Sequence, residues 1–340
     1  MNDVRKLARE RMKGFCRVCP VCDGRACAGE VPGMGGLVTG ASFRNNVTAL
    51  SAQRLNMTAL HDARDPKTQL SLLGFDMELP VLAAPIGGVS FNMGDSMSED
   101  DYIHAVISGS RAAGAVGCTG DGVPPFIVDG AEAALRAEKG YGIPFVKPWE
   151  GKELYDKAER LLAPGCPVLG VDVDAAGLIT LRKMGRPVAP MSQKELEDLV
   201  SFVHDAGRKL MIKGVMTAEA ARRAVDAGAD AIVVSNHGGR VLDHCPGTAE
   251  VLPAIAEAVR GHIRILADGG IRTGVDVLKM LALGAEAVLI GRPVSVAAIG
   301  GGPDGVKAYF ETVKAQLTQA MLLTGCASLT DINESILYRG

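Results

Sequence analysis

The densest chemistry in the chain lies in Ser235-Asn236-His237-Gly238-Gly239-Arg240-Val241-Leu242-Asp243. An imidazole changes charge near neutral pH, so His237 can serve as a general base. Arg240, three residues on, can grip a carboxylate through two parallel N–H bonds. The glycines between them remove side chains and let a substrate approach the backbone. The plainer reading is a satisfied core imidazole beside a surface charge, and the Gly-Gly-Arg context argues against it. A second cluster, Cys16-x2-Cys19-x2-Cys22-x4-Cys27, stands near the N-terminus. Thiolates at this spacing can ligate zinc or an iron–sulfur cluster, because close repeats let one short loop wrap one centre. The pattern is similar to a ferredoxin run with a longer last gap. Free or redox-responsive thiols, and disulfides, are the competing readings. Cys118, Cys166, Cys245 and Cys326 are scattered and read as small buried apolar residues.

The elements that must position these groups are legible from about residue 80 onward. Short apolar runs fall at 81–86, 115–119, 144–147, 167–173, 209–215, 231–235, 264–267 and 287–291. They are rich in Val, Ile, Leu and Ala, as strands buried on both faces require. Amphipathic stretches separate them. Ser192 with Glu195 has capping-box spacing, and a helix over 217–227 ends before Gly228. Eight such units predict an α/β fold, a closed (β/α)8 TIM barrel, with residues 81–340 as the barrel and 1–80 as an N-terminal extension packed on it.

Active sites of such barrels form at the C-terminal ends of the strands. Here the ends read Pro85-Ile86-Gly87-Gly88, Thr119-Gly120-Asp121, Lys147, Asp172, Lys213, Asn236-His237, Asp268-Gly269-Gly270 and Gly291-Arg292. Nearly every strand finishes in a polar group or a glycine turn, which stability alone would not demand. Glycine turns followed by helix starts also expose backbone N–H groups to an anion. The connection over 174–191 is long for this fold and is expected to behave as a lid. Residues 43–75 show no clear period.

The totals fit one large domain: 340 residues, 47% hydrophobic, 22% charged, only 4% aromatic, with 42 glycines. A formal net charge of −3 and the lack of a basic run speak against a nucleic-acid surface. No apolar stretch approaches the roughly 18 residues of a membrane span. The charged start MNDVRKLARERMKG lacks a signal-peptide core, so a cytoplasmic location is expected.

SNHGGRVLD, followed by ILADGGIRTGVDVLKMLALGAEAVLIGRP, closely resembles the FMN-dependent α-hydroxy-acid oxidases and dehydrogenases, the glycolate-oxidase and lactate-oxidase type. LMIKGVMTAEAARRAVDAGADAIVVSNHGGR and the C-terminal MLLTGCASLTDI resemble the same family. The likeness is strongest over about 205–332, moderate over 70–125, weaker over 126–200 and poor before residue 45.

The resemblance implies FMN as cofactor and a small 2-hydroxy acid or related carboxylate as substrate, with O2, a protein or a quinone as electron acceptor. It also implies a homo-oligomer, a tetramer or octamer. By position, Lys213 would stand at the flavin N1–C2 carbonyl and His237 would take the substrate proton. Asp172 would pair with His237, and Arg240 would hold the carboxylate. Ala84, Pro85, Ile86 and Gly87 would lie against the flavin, with Thr119, Asp121, Lys147 and Ser235 nearby. Asp268, Gly269, Gly270, Arg272, Gly291 and Arg292 would form the phosphate site.

The substrate side departs from the family. Lys147 and Trp149 stand where a Gln-x-Tyr is usual, with Trp149 placed to meet substrate. No second arginine follows Asp172; Arg182, Lys183 and Arg186 are the candidates to replace it. No active-site tyrosine is evident around 30–45. Two other functions compete with net oxidation: an FMN-barrel isomerase without net redox, and a flavin or iron–sulfur redox sensor or subunit. An iron–sulfur centre at the cysteines would carry electrons onward and favour a dehydrogenase over an oxidase.

Overall fold

The computed structural model describes residues 1–339. Eight parallel strands close into a ring: β1 (Val81–Ile86), β2 (Val116–Thr119), β3 (Ile143–Val146), β4 (Val168–Asp172), β5 (Lys209–Val215), β6 (Ala231–Val234), β7 (Arg264–Ala267) and β8 (Ala287–Ile290). Each pairs with its sequence neighbours, and β8 pairs back onto β1 at Val288–Val81. Each apolar run of the sequence forms one strand, and the fold is the expected (β/α)8 barrel.

Alternate side chains on each strand divide between two cores. Leu82, Val116, Phe145, Met211, Val233 and Leu266 fill the barrel interior, while Leu169, Ile212 and Ile232 pack outward under the helices. Phe145 is fully buried, and its truncation to Ala would cost about 3–5 kcal/mol. The helix Gln193–Asp205 starts at Ser192 with the reciprocal capping box, Ser192 N to Glu195 Oε2 at 2.7 Å and Glu195 N to Ser192 Oγ at 3.3 Å. The helix Ala218–Asp226 is capped by Thr217.

Segments that the sequence left without a period prove ordered. A hairpin, Leu70–Leu72 with Phe75–Met77, puts Leu72, Phe75 and Met77 into the interior core. Glu78 N donates to Gly114 O at 2.8 Å, and the Phe75 ring meets Tyr141 edge-on at 5.3 Å. Both partners lie just before a strand begins, so the hairpin plugs the N-terminal mouth and leaves the other end for chemistry. The helix Ala41–Ala52 also escaped notice, because its buried face mixes Ser42 and Asn46 with Phe43, Ala49 and Leu50 and shows no apolar stripe.

The helix Asn2–Arg11 lies on the long helix Arg292–Leu322, where Arg11 Nη1 reaches Ile299 O at 2.8 Å. The 174–191 connection carries a 3-10 turn, Val173–Gly177, and a short helix, Ile179–Lys183. Among the described residues no helix is long and apolar enough to cross a membrane.

Candidate active site

The C-terminal ends of the strands surround a cleft of about 1230 Å³, its open mouth included. Ala84, Pro85, Ile86 and Gly87 form one wall as β1 ends. The turn that follows is pinned by the buried Glu99 carboxylate, which accepts from Gly88 N at 2.9 Å and Val89 N at 2.6 Å. Burial raises the pKa of Glu99 above the usual carboxylate value, although the two N–H bonds act the other way. Nothing in the sequence distinguished Glu99 from an ordinary helix-start acid.

At the cleft floor two acid–base pairs stand side by side. Lys213 Nζ lies 2.9 Å from Asp172 Oδ1, and His237 Nδ1 lies 2.9 Å from Asp174 Oδ1. The two pairs touch, with Lys213 Nζ 3.5 Å from His237 Nδ1. The expected Asp172–His237 pairing is therefore corrected: Asp174 serves the histidine and Asp172 serves the lysine. The physical reason is the 3-10 turn that begins at Val173, which swings Asp174 toward β6 while Asp172 stays in register opposite Lys213. Burial opposes ionisation of Asp174, but the charges of His237 and Lys213 outweigh it and hold its pKa below the usual value. Burial likewise works against the Lys213 ammonium, yet Asp172, Asp174 and Asp268 together raise its pKa.

His237 adopts a left-handed backbone, φ 56°, uncommon for a residue with a side chain. Its N–H is held by Ser235 Oγ at 3.0 Å, and Ser235 in turn donates to Asp268 Oδ2 at 2.8 Å. Ser235 thus positions the histidine from below and does not line the cleft. Gly239 has φ 78°, and a β-carbon there would come within 2.4 Å of Phe43 N, so the turn fits against the helix Ala41–Ala52 only as glycine. A reciprocal amide pair, Asn46 Nδ2 to Asn236 Oδ1 at 2.7 Å and Asn236 Nδ2 to Asn46 Oδ1 at 3.1 Å, fastens the same two segments.

Arg240 is half-buried and lines the cleft. Its guanidinium donates to Gly33 O at 2.5 Å and Asn92 Oδ1 at 2.9 Å, both neutral acceptors. Burial, with Arg292 adding, pushes its pKa down to about 9, so it remains a cation at neutral pH. No carboxylate among the described residues pairs with it.

Where β7 and β8 end, Asp268, Gly269, Gly270, Arg272, Gly291 and Arg292 line the cleft together. A β-carbon on Gly269 would meet Thr248 Oγ1 at 2.6 Å, and one on Gly270 would meet Asn46 O at 2.6 Å. Arg292 is anchored on Met34 O at 2.7 Å and Gly35 O at 2.9 Å, with its guanidinium 3.8 Å from the Phe43 ring centre. Arg272 Nε is buried without a partner in the protein. A buried N–H donor without an acceptor is costly. Beside a second arginine and two side-chain-free turns, it fits the phosphate end of FMN.

Other expected residues take different places. Asp121 lines the cleft, but its carboxylate accepts from Lys147 N at 2.9 Å, Trp149 Nε1 at 2.6 Å and Lys157 Nζ at 3.0 Å. Those bonds fix the carboxylate at the cleft wall. Lys147 also reaches the cleft, with its ammonium on the Asp121 carbonyl; burial lowers its pKa. Trp149, expected to meet substrate, is packed behind Asp121 under Lys157 and Arg186. Thr119 is buried off the cleft, with its hydroxyl unpartnered. Arg182, Lys183 and Arg186 are exposed, and none lines the cleft.

The only three metal-ligating side chains gathered within 4.8 Å among the described residues are Asp172, Asp174 and His237. Lys213 already supplies the cation there. Cys16, Cys19, Cys22 and Cys27 are all unbonded and half-buried, and no three of them meet that spacing. A tetrahedral zinc site needs sulfurs about 3.8 Å apart, given Zn–S bonds near 2.3 Å. No three of the four therefore stand as close as a bound zinc ion would hold them.

A closed barrel with a glycine-and-arginine anion cradle and a histidine–aspartate pair at the cleft floor is the arrangement of a phosphate-anchored cofactor enzyme. The sequence matches the family described as FMN-dependent dehydrogenase over residues 34–184 and 182–339. It is 30% identical to an L-lactate oxidase of Lactobacillus jensenii over 321 residues, 86% of this chain and 77% of that one. It is 31% identical to an L-lactate dehydrogenase of Xanthomonas campestris over 367 positions, 90% of this chain and 91% of that one. A solved mandelate oxidase variant holding an FMN adduct superposes with a TM-score of 0.77 at 30% identity, covering 98% of this chain and 97% of that one. The chain belongs to the FMN-dependent dehydrogenase family and is an FMN-dependent oxidoreductase.

Proposed function

We propose that the protein oxidises a small 2-hydroxy monocarboxylate with an apolar side chain to the 2-oxo acid. The observation that carries this reading is Arg240, a half-buried cation that faces the cleft with no carboxylate partner, beside a histidine whose Nδ1 is taken by Asp174. A substrate carboxylate on Arg240 gains a charge-assisted, bidentate contact in a site that water leaves. His237 Nε2 takes the substrate proton, since Nδ1 is committed to Asp174. Asp174 stabilises the imidazolium that results, and Lys213 holds a fixed positive charge at the cleft floor. Arg272, Arg292 and the Gly269–Gly270 turn would hold the FMN phosphate. Bound FMN supplies the two-electron acceptor. The net reaction removes two electrons and two protons from the substrate.

Size and polarity of the substrate follow from the lining. Leu178, Leu181, Met184, Phe91 and Met34 face the cleft beside Arg240, and no tyrosine does. The neighbouring Arg292 is tied to Met34 O, Gly35 O and Gly238 O. A second substrate carboxylate would be desolvated against this wall at a cost of several kcal/mol. Steady-state turnover with an artificial electron acceptor tests this. The expected result is 2-oxo acid from apolar 2-hydroxy monocarboxylates, with kcat/KM at least about a hundredfold above that for 2-hydroxy dicarboxylates. Preference for dicarboxylates, or no 2-oxo acid from the FMN-loaded protein, would overturn it.

A further inference from the structure

We propose that Cys16, Cys19, Cys22 and Cys27 hold an iron–sulfur cluster beside the phosphate end of the flavin cleft. None of these cysteines lines the cleft, and the catalytic groups do not use them. The loop that carries them is held at both ends. On one side, the helix Asn2–Arg11 is seated on the C-terminal helix, with Met12 fully buried. On the other, Gly33, Met34 and Gly35 are gripped through their carbonyls by Arg240 and Arg292. Between these anchors all four cysteines are half-buried. Cys16 is close enough to Cys19 and Cys22 for their charges to act on it, and Cys27 is likewise close to Cys16 and Cys22.

Three features select a cluster over a single ion. No three of the four sulfurs lie within 4.8 Å of one another, and a cluster, whose irons and sulfides stand between its ligands, holds them wider apart than a single ion does. Cys16-x2-Cys19-x2-Cys22 repeats the spacing by which a ferredoxin loop places three thiolates around one cluster, and Cys27 supplies the fourth. The loop is also furnished with the groups that four thiolates need. Val18 N donates to Cys16 Sγ at 3.4 Å, and Arg272 Nη2 stands 3.6 Å from Cys22 Sγ. Arg5 reaches Cys19 O at 2.6 Å, and Arg9 reaches Val18 O at 2.9 Å. Arg272, in contact with Cys22, is a cation that favours the thiolate form, while Arg5 and Arg9 fix the loop's backbone.

The place of the loop gives the cluster a use. Arg272 touches Cys22 and also lines the flavin cleft, so one side chain separates the two sites. A cluster takes electrons singly. Each turnover would therefore send its two electrons through it in two successive transfers to an external one-electron carrier protein, the terminal oxidant, while the two substrate protons pass to solvent. This role rests on the 2-hydroxy-acid reading; occupancy of the site does not.

The test is iron and acid-labile sulfide analysis of the full-length protein purified without oxygen, with electron paramagnetic resonance after dithionite reduction. Iron and sulfide in equal amounts, with a cluster signal on reduction, are expected. Cys19→Ala/Cys22→Ala should lose both and keep the flavin absorbance, and Cys166→Ala, in the barrel wall, should keep both. Should the double variant fail to fold, Cys27→Ala read by the same signal takes its place. Zinc in place of iron, or a protein that stays iron-free after anaerobic reconstitution with ferrous iron and sulfide, overturns the proposal. All these readouts are independent of substrate, so they fail separately from the proposed reaction.

Discussion

The two ends of the cleft are built in different ways. The phosphate end is made of backbone: Gly269 and Gly270 lie so close to Asn46 and Thr248 that no side chain fits, and Arg272 and Arg292 are tied to main-chain carbonyls. The substrate end is made of side chains on a 3-10 turn and a short helix: Asp174, Leu178, Leu181 and Met184. Backbone turns admit few alternatives, so an end made from them keeps a recognisable sequence. Side chains on a surface connection can be exchanged as long as charge is balanced and volume filled. The contrast accounts for a cofactor end whose sequence resembles the family's motifs and a substrate end that departs from them.

Two substitutions sharpen this contrast, the larger effect first. Lys213→Ala removes the fixed cation from the floor between the two ends. FMN should remain bound through the phosphate end, while reduction by substrate slows by about a hundredfold or more. Rapid-mixing absorbance measures it, and an unchanged rate would detach Lys213 from the chemistry.

Asp174→Asn should act more weakly, by about tenfold, and should show itself in the pH profile. A carboxylate beside an imidazole favours the charged ring. Removing it makes His237 lose its proton more readily, so the acid limb of kcat/KM moves to lower pH. Asp174 itself has a depressed pKa, so its charge is present above the usual carboxylate range and is lost only as pH falls below that range. Asp172→Asn should leave the limb closer to its place, since Asp172 bonds Lys213 and not the ring. A larger shift from Asp172→Asn than from Asp174→Asn would restore the pairing first expected.

Much of this was legible in the sequence, and the limits have physical causes. The strands showed because residues buried on both faces must be apolar, and their ends showed because polar groups and glycines interrupt the runs. Val171-Asp172-Val173-Asp174 offered two carboxylates two residues apart, and only the turn at Val173 decides which one meets His237. Asn46 gave no signal, since a buried amide is recognised by its partner, Asn236, 190 positions away. Trp149 looked like a replacement for a substrate-facing tyrosine. Its indole N–H instead found Asp121, and that bond turns it away from the cleft.

The most direct test mixes the FMN-loaded protein with a 2-hydroxy monocarboxylate such as L-lactate in the absence of oxygen and follows the flavin absorbance, for the native protein and for His237→Ala. Rapid bleaching with one 2-oxo acid formed per flavin is expected from the native protein. In His237→Ala, with FMN still bound, the rate should fall by about a thousandfold, within the range general bases contribute. Equal rates in the two proteins would contradict the assignment of His237. A flavin that dithionite bleaches but no 2-hydroxy acid does would contradict the reaction itself.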